Sequence, residues 1–265
     1  MKFWLKRIII FIAFSYLIIG VGLYFLQERM IFMPQPLPQD YIYNFPGNFE
    51  EINLRTKDNA QLNALHFKVE NPKGVVLYFH GNTGELSRWG MVAQNFVALE
   101  YDVLIMDYRT YGKSTGQLSE DALYSDAQLF YNFLLEKYDQ EEIVVYGRSL
   151  GSTFATFVAA KNNPKQLILE APFYSLDEVA LQRFPIFPVD WFLKYHFPTF
   201  QYLKEVSSPI LIFHGTDDVV IDFENSIKLS KLATIGKITF IKIPNGSHNN
   251  LVTSEIYNKA VDSIL

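Results

Sequence analysis

Six short runs of continuously apolar sequence, residues 75–79, 103–106, 143–146, 167–169, 210–213 and 238–243, constrain this chain more than any other feature. They are nearly all β-branched, Leu or aromatic, and a strand with no polar alternate face is buried on both sides. A parallel sheet covered by helices meets that condition. The segments between the runs carry helical patterns able to cover it: residues 85–99, 120–138, 152–161, 222–232 and a closing helix near 251–265. Ser119 followed by Glu120 and Asp121 marks the start of one of them. Upstream, residues 49–55 and 61–69 have strand composition and are joined by Lys57-Asp58-Asn59, turn chemistry that predicts an antiparallel hairpin. The expected fold class is α/β, a mostly parallel doubly wound sheet with an N-terminal antiparallel hairpin.

Two segments stand outside this alternation. Between residues 171 and 208 no clean strand appears, while Phe173, Tyr174, Phe184, Phe187, Trp191, Phe192, Tyr195, Phe197, Phe200 and Tyr202 crowd among prolines. A long excursion of this kind in a compact domain is a lid or binding loop, here a cap insertion over 172–205. At the front, Lys2, Lys6 and Arg7 precede an uncharged run over residues 8–26, closed by Gln27-Glu28-Arg29. As a helix that run spans about 28 Å, close to the thickness of a bilayer's hydrocarbon. Ile, Phe, Tyr and Leu cover every face of it, whereas a helix on a protein surface needs a polar stripe. The run exceeds a signal-peptide core, and its one small-residue site, Gly20-Val21-Gly22, lies inside the apolar stretch, so it reads as a retained anchor. The basic residues before it, against a Glu28/Arg29 pair after it, predict a cytoplasmic N-terminus and the rest of the chain outside the cytoplasm. Prolines 34, 36 and 38 then favour an extended spacer. The expected divisions are an anchor over 1–29, a linker over 30–39 and a catalytic domain over 40–265.

A formal net charge of -5 lacks the basic excess of a nucleic-acid binder. With no cysteine there is no disulfide, thiolate metal site or thiol nucleophile. Tyr111-Gly112-Lys113-Ser114-Thr115 ends like a phosphate-binding loop, but the glycine required at its start is Asp107. No histidine-carboxylate cluster has metal-ligand spacing, so neither a metal nor another cofactor is expected.

The chemistry concentrates in loops that follow the apolar runs. Gly147-Arg148-Ser149-Leu150-Gly151 lies between a strand and a helix, where a nucleophilic serine needs a tight turn and glycines that permit a strained backbone and keep side chains away from Oγ. His80-Gly81-Asn82-Thr83-Gly84 follows another strand, and a backbone N–H from Asn82 or Thr83, with that of Leu150, is expected to receive a developing oxyanion. Serine needs a base. Of His66, His80, His196, His214 and His248 only His248 follows the last strand, in the polar loop Pro244-Asn245-Gly246-Ser247-His248-Asn249. His66, His80 and His214 read as structural, and His196 as a residue of the cap. An orienting carboxylate is expected from His214-Gly215-Thr216-Asp217-Asp218, where spacing alone leaves both aspartates open.

In these units the sequence resembles the α/β-hydrolase superfamily, and within it the single-pass membrane hydrolases related to the fungal bud-emergence protein and the serine-aminopeptidase-like group. The resemblance runs from about Glu28 to the C-terminus, through Glu28-Arg29-Met30-Ile31-Phe32-Met33-Pro34, His80-Gly81-Asn82, Asp107-Tyr108-Arg109, the Ser149 turn, the His214–Asp218 unit and Gly246-Ser247-His248-Asn249. It implies an α/β-hydrolase fold and makes the last residue of the H-G-x-x-D unit the acid, which selects Asp218. Thr110 departs from the pattern, standing where the family often has glycine, as does Asn250, where it often has Asp. The expected protein is a serine hydrolase that cleaves a small-molecule acyl ester or thioester with Ser149, His248 and Asp218, held to the bilayer through residues 8–26. The aromatic insertion is expected to cover the serine and form a pocket for short-to-medium acyl groups. A peptidase would need a charged pocket for a peptide terminus, and the insertion offers little charge. A non-catalytic scaffold on the same fold is disfavoured by the complete set of three residues.

Overall fold

A computed structural model describes residues 2–265; Met1 of the expected anchor lies outside the described residues. Among those described, eight strands form one sheet: β1 (Asn48–Arg55), β2 (Gln61–Lys68), β3 (Val75–Phe79), β4 (Asp102–Met106), β5 (Ile143–Arg148), β6 (Gln166–Glu170), β7 (Ile210–Gly215) and β8 (Ile238–Ile243). Their spatial order is β8-β7-β6-β5-β3-β4-β2-β1. The β1–β2 hairpin is antiparallel, β2 meets β4 antiparallel, and the remaining pairs are parallel. The apolar runs become its strands because alternate residues serve two cores. Val75, Leu77 and Phe79 face one, with Phe130, Phe154 and Leu229; Val76 and Tyr78 face the other, with Trp89, Phe96 and Tyr257. The edge strand β8 is the exception, since Thr239 and Lys242 face solvent there.

The helices are α1 (Lys2–Ile31), α2 (Leu86–Val97), α3 (Glu120–Leu135), α4 (Gly151–Lys161), α5 (Leu176–Arg183), α6 (Val189–Phe192), α7 (Thr199–Leu203), α8 (Glu224–Ser230) and α9 (Glu255–Asp262). Ser119 caps α3 by accepting the Ala122 N–H at 3.2 Å. The expected closing helix is broken: a short 3₁₀ turn, Leu251–Thr253, precedes α9, because Ser254 is extended and its hydroxyl caps the new helix at Ile256. Between β6 and β7 the cap holds α5, α6 and α7 and no strand.

The expected spacer is not free. Pro34, Pro36 and Pro38 lack an N–H, but the residues between them keep theirs. Met33, Gln35 and Leu37 donate to the carbonyls of Asn82, Gly84 and Gly112 at 3.0, 3.3 and 2.8 Å. Phe32 is buried edge-on against Tyr195. The segment that leaves α1 is therefore laid along the α/β domain, as a parallel ladder of Met33–Pro34 with Thr83–Gly84. α1 is long and apolar enough to cross a membrane and, with most of its side chains exposed, is consistent with a single-pass anchor.

Candidate active site

The strand order reverses around β3, which lies between β5 and β4, and Phe79 pairs with Gly147. The turn after β3 and the turn after β5 therefore open side by side at the carboxyl edge of the sheet, where open α/β sheets bind ligands. Ser149 sits on the second turn with φ of 50°, in the left-handed region. A non-glycine residue held there costs roughly 1–3 kcal/mol and persists where the surroundings fix it. The strain is thus on the serine itself, and the flanking glycines do a different job from the one expected of them. Neither has a positive φ. A Cβ on Gly147 would come within 2.6 Å of Ala155 Cβ, and one on Gly151 would run into the Phe79 and His80 carbonyls. They let α4 pack against β5 and β3 closely enough to lift the serine out of the turn.

His248, from the loop after β8, places Nε2 3.1 Å from Ser149 Oγ and Nδ1 2.7 Å from Asp218 Oδ2. All three residues are 8–9% exposed. Asp218 Oδ1 accepts the backbone N–H groups of Val220 and Ile221 at 2.8 and 2.9 Å. Burial alone raises the pKa of such a group, but hydrogen bonds from His214 and His248, the His248 charge and the Ile221 N–H outweigh it and hold the carboxyl well below the usual range. Asp217 is exposed, and among the described residues its carboxylate accepts only from the neighbouring Thr216 hydroxyl.

Two contributors escape the sequence reading. His214 does more than end its strand: its Nε2 lies 3.0 Å from the Ile221 carbonyl and 3.2 Å from Asp218 Oδ2. With two acceptors there, Nε2 carries the proton and Nδ1 accepts from Ser226 at 2.6 Å. Arg148 donates through Nη2 to the His248 carbonyl and to Asn249 Oδ1 at 3.0 and 2.8 Å, while Nε pairs with Glu170 at 3.1 Å. The residue preceding the serine thereby fixes the loop that carries the imidazole. The four-residue spacing of His214 and Asp218 was the available signal for the first; nothing in the sequence marks the second. His66 and His80 are fully buried in the fold, and His196 pairs with Asp177 on the cap at 2.8 Å.

The structure separates the two residues expected to donate after β3. Asn82 lines the cavity beside Ser149 and Leu150, whereas Thr83 does not; its carbonyl accepts from the Trp89 indole and it pairs with Met33. The ladder that pins the segment after α1 holds Thr83 out of the site. The backbone N–H groups of Asn82 and Leu150 have no acceptor among the described residues.

Above the serine is a cavity of about 310 Å³. Apart from Arg183 its cap side is apolar, with Phe173, Leu176, Val179, Phe184, Phe187 and Phe192 among its residues. The insertion is thus divided: its first part covers the serine, while Tyr195 and Phe197 are buried in the core and Trp191 is 86% exposed.

Strand order, serine turn and a cap between β6 and β7 are together the mark of the α/β-hydrolases. The family model described as serine aminopeptidase, S33, matches residues 70–207, more than half of the chain, which belongs to this family and to its bem46-like group. The chain is 29% identical to protein bem46 of Schizosaccharomyces pombe over 94% of its own length and 89% of that protein's. It is also 29% identical to the lysophosphatidylserine lipase ABHD12 of Danio rerio, over 88% of this chain and 74% of the other. The solved esterase Pf2001 of Pyrococcus furiosus has the same fold, with a TM-score of 0.69 at 18% identity, covering 88% of this chain and 96% of that one.

Proposed function

We propose that this chain is a membrane-anchored serine hydrolase that cleaves carboxylic esters or thioesters through an acyl-enzyme. The observation that carries the reading is the continuous path from Ser149 Oγ through His248 to Asp218, at 3.1 and 2.7 Å. His248 Nε2 takes the hydroxyl proton as Ser149 Oγ adds to the substrate carbonyl, and Asp218 holds the ring's tautomer and stabilises the imidazolium. The backbone N–H groups of Asn82 and Leu150 receive the oxyanion. Collapse of the tetrahedral adduct expels the alcohol or thiol, which takes the proton from His248, and water then repeats the sequence to release the acid.

The lipase relative's name favours an ester substrate. Peptidase chemistry on a free amino terminus finds less support, because Arg183 is the one charged residue lining the cavity among those described and no carboxylate is there to hold an ammonium. In this reading residues 1–29 anchor the chain with the N-terminus in the cytoplasm, 30–39 connect, and 40–265 carry out the chemistry. The test is a fluorophosphonate probe with p-nitrophenyl acetate turnover. Wild type should label and hydrolyse, and Ser149→Ala should lose both, by at least a thousandfold in rate; turnover near wild type in the variant overturns the assignment.

A further inference from the structure

The catalytic domain does not enclose the cavity by itself. One long side of it is α1, through Gly20, Leu23, Tyr24, Gln27, Met30 and Ile31, residues spaced so that they share one helical face. That face is fastened to the cap. Tyr16 stacks on Phe187 with ring centres 4.7 Å apart and donates to the Ile186 carbonyl at 2.8 Å. Gln27, buried at the end of the apolar run, donates to the Phe192 carbonyl at 3.0 Å and accepts the Lys194 N–H at 2.8 Å. Tyr195 donates to Glu28 at 3.1 Å. A glutamine with both ends of its amide committed to cap backbone fixes the register of helix on cap.

The wall has a direction. Asn82 Nδ2 donates to the Ile31 carbonyl at 3.1 Å, so the C-terminal end of α1 meets the serine's crevice. Gly20 lies eleven residues back along the sequence, about 16 Å along the axis. Gly20, Leu23 and Tyr24 belong to the uncharged run, whose outward side chains, Phe25 at 72% among them, are exposed. The cavity therefore leads from Ser149 down to the depth of hydrocarbon. On the cap segment bonded to α1, Ile186 is 71% and Trp191 86% exposed, and large apolar groups beside a spanning helix belong in the membrane interface. An acyl chain whose carbonyl is at Ser149 and whose tail follows α1 has the orientation it already has in a leaflet.

We infer that α1 is a wall of the acyl site as well as an anchor, and that the substrate is an ester with one long acyl chain, taken laterally from the leaflet beside α1. This rests on the serine hydrolase reading above and extends the pocket beyond the short-to-medium acyl groups that the cap alone suggests. A cavity of about 310 Å³ suits a single chain.

The test uses the full chain in phosphatidylcholine vesicles. Leu23→Trp fills the wall, and the ratio of kcat/KM for p-nitrophenyl palmitate to that for p-nitrophenyl acetate should fall at least tenfold; Ile18→Trp, on the opposite face, should leave that ratio unchanged. A ratio within twofold of wild type for Leu23→Trp overturns the inference. If that variant does not fold, a monoglyceride bearing a diazirine-tagged palmitoyl chain, added to vesicles with Ser149→Ala, decides it. Crosslinks on residues 20–31 support the wall, and their absence there overturns it. Wild-type enzyme that turns over no ester while crosslinks form on α1 counts against the hydrolase reading alone; ester turnover indifferent to the wall counts against this inference alone.

Discussion

At the scale of single residues, the choice between Asp217 and Asp218 shows what a sequence can and cannot specify. Adjacent aspartates have the same spacing from any distant partner, and what separates them is the turn that gives Asp218 the N–H groups of Val220 and Ile221 and leaves Asp217 in water. Asp218→Asn should lower kcat/KM for p-nitrophenyl acetate roughly a thousandfold or more, since an amide donating to Nδ1 holds the wrong tautomer. Asp217→Asn should stay within about twofold. Equal losses in the two variants, measured with the same ester, would leave the acid unassigned. Thr110 gives the complementary case. Its φ of 74° is a left-handed backbone that glycine adopts without strain, which is the physical sense of the glycine expected there from the resemblance, and no local pattern reveals it. Arg148 was silent because its partners, His248 and Asn249, lie a hundred residues away in a loop whose path no local pattern records.

At the scale of elements, the strands were legible because burial on two faces demands uninterrupted apolar side chains, and the three loops carrying Ser149, Asp218 and His248 followed from them. What was hidden involves contacts between elements: the ladder of Met33–Pro34 with Thr83–Gly84, and the seating of α1 on the cap. Those depend on backbone groups and on register, neither of which leaves a period in the sequence. β2 carries a testable consequence of its burial. His66 is fully buried beside Phe133 and Tyr138, and burial first, then the charge of Lys68, pushes its imidazole down to about 3, with Asp102 opposing. Between pH 6.5 and 3 the unfolded chain binds a proton that the folded chain refuses, so stability from this residue is constant above the window and falls as pH drops through it, at about 1.4 kcal/mol per unit. His66→Gln removes that titration. In detergent, wild type should have the higher Tm at pH 7.5, and its advantage should shrink steadily towards pH 4; a difference independent of pH would show that His66 does not titrate as its burial requires.

At the scale of the whole molecule, α1 and the cap wall one cavity beside Ser149, so on the proposed reading topology decides which leaflet supplies the substrate. Lys2, Lys6 and Arg7 precede the apolar run, and Glu28 beside Arg29 follows it, the asymmetry on which we propose that the N-terminal end stays on the cytoplasmic side. In that proposed topology the chain emerges at Ile31, where Asn82 holds it to the crevice of Ser149, and the wall from Gly20 to Ile31 falls in the outer half of the bilayer. Reversal of the helix would leave every contact of α1 with the cap intact and present the same wall to the cytoplasmic leaflet, so packing alone does not set the orientation, and the proposed topology rests on the flanking charge. An alkaline phosphatase fused after Leu265 should therefore be enzymatically active, because that reporter matures only after export, and a green fluorescent protein exported unfolded at the same position should stay dark. Changing Lys2, Lys6 and Arg7 together to glutamate while adding three lysines after Arg29 should exchange the two signals. A bright fluorescent fusion on the unaltered chain would place the catalytic domain in the cytoplasm and assign its lipid supply to the inner leaflet.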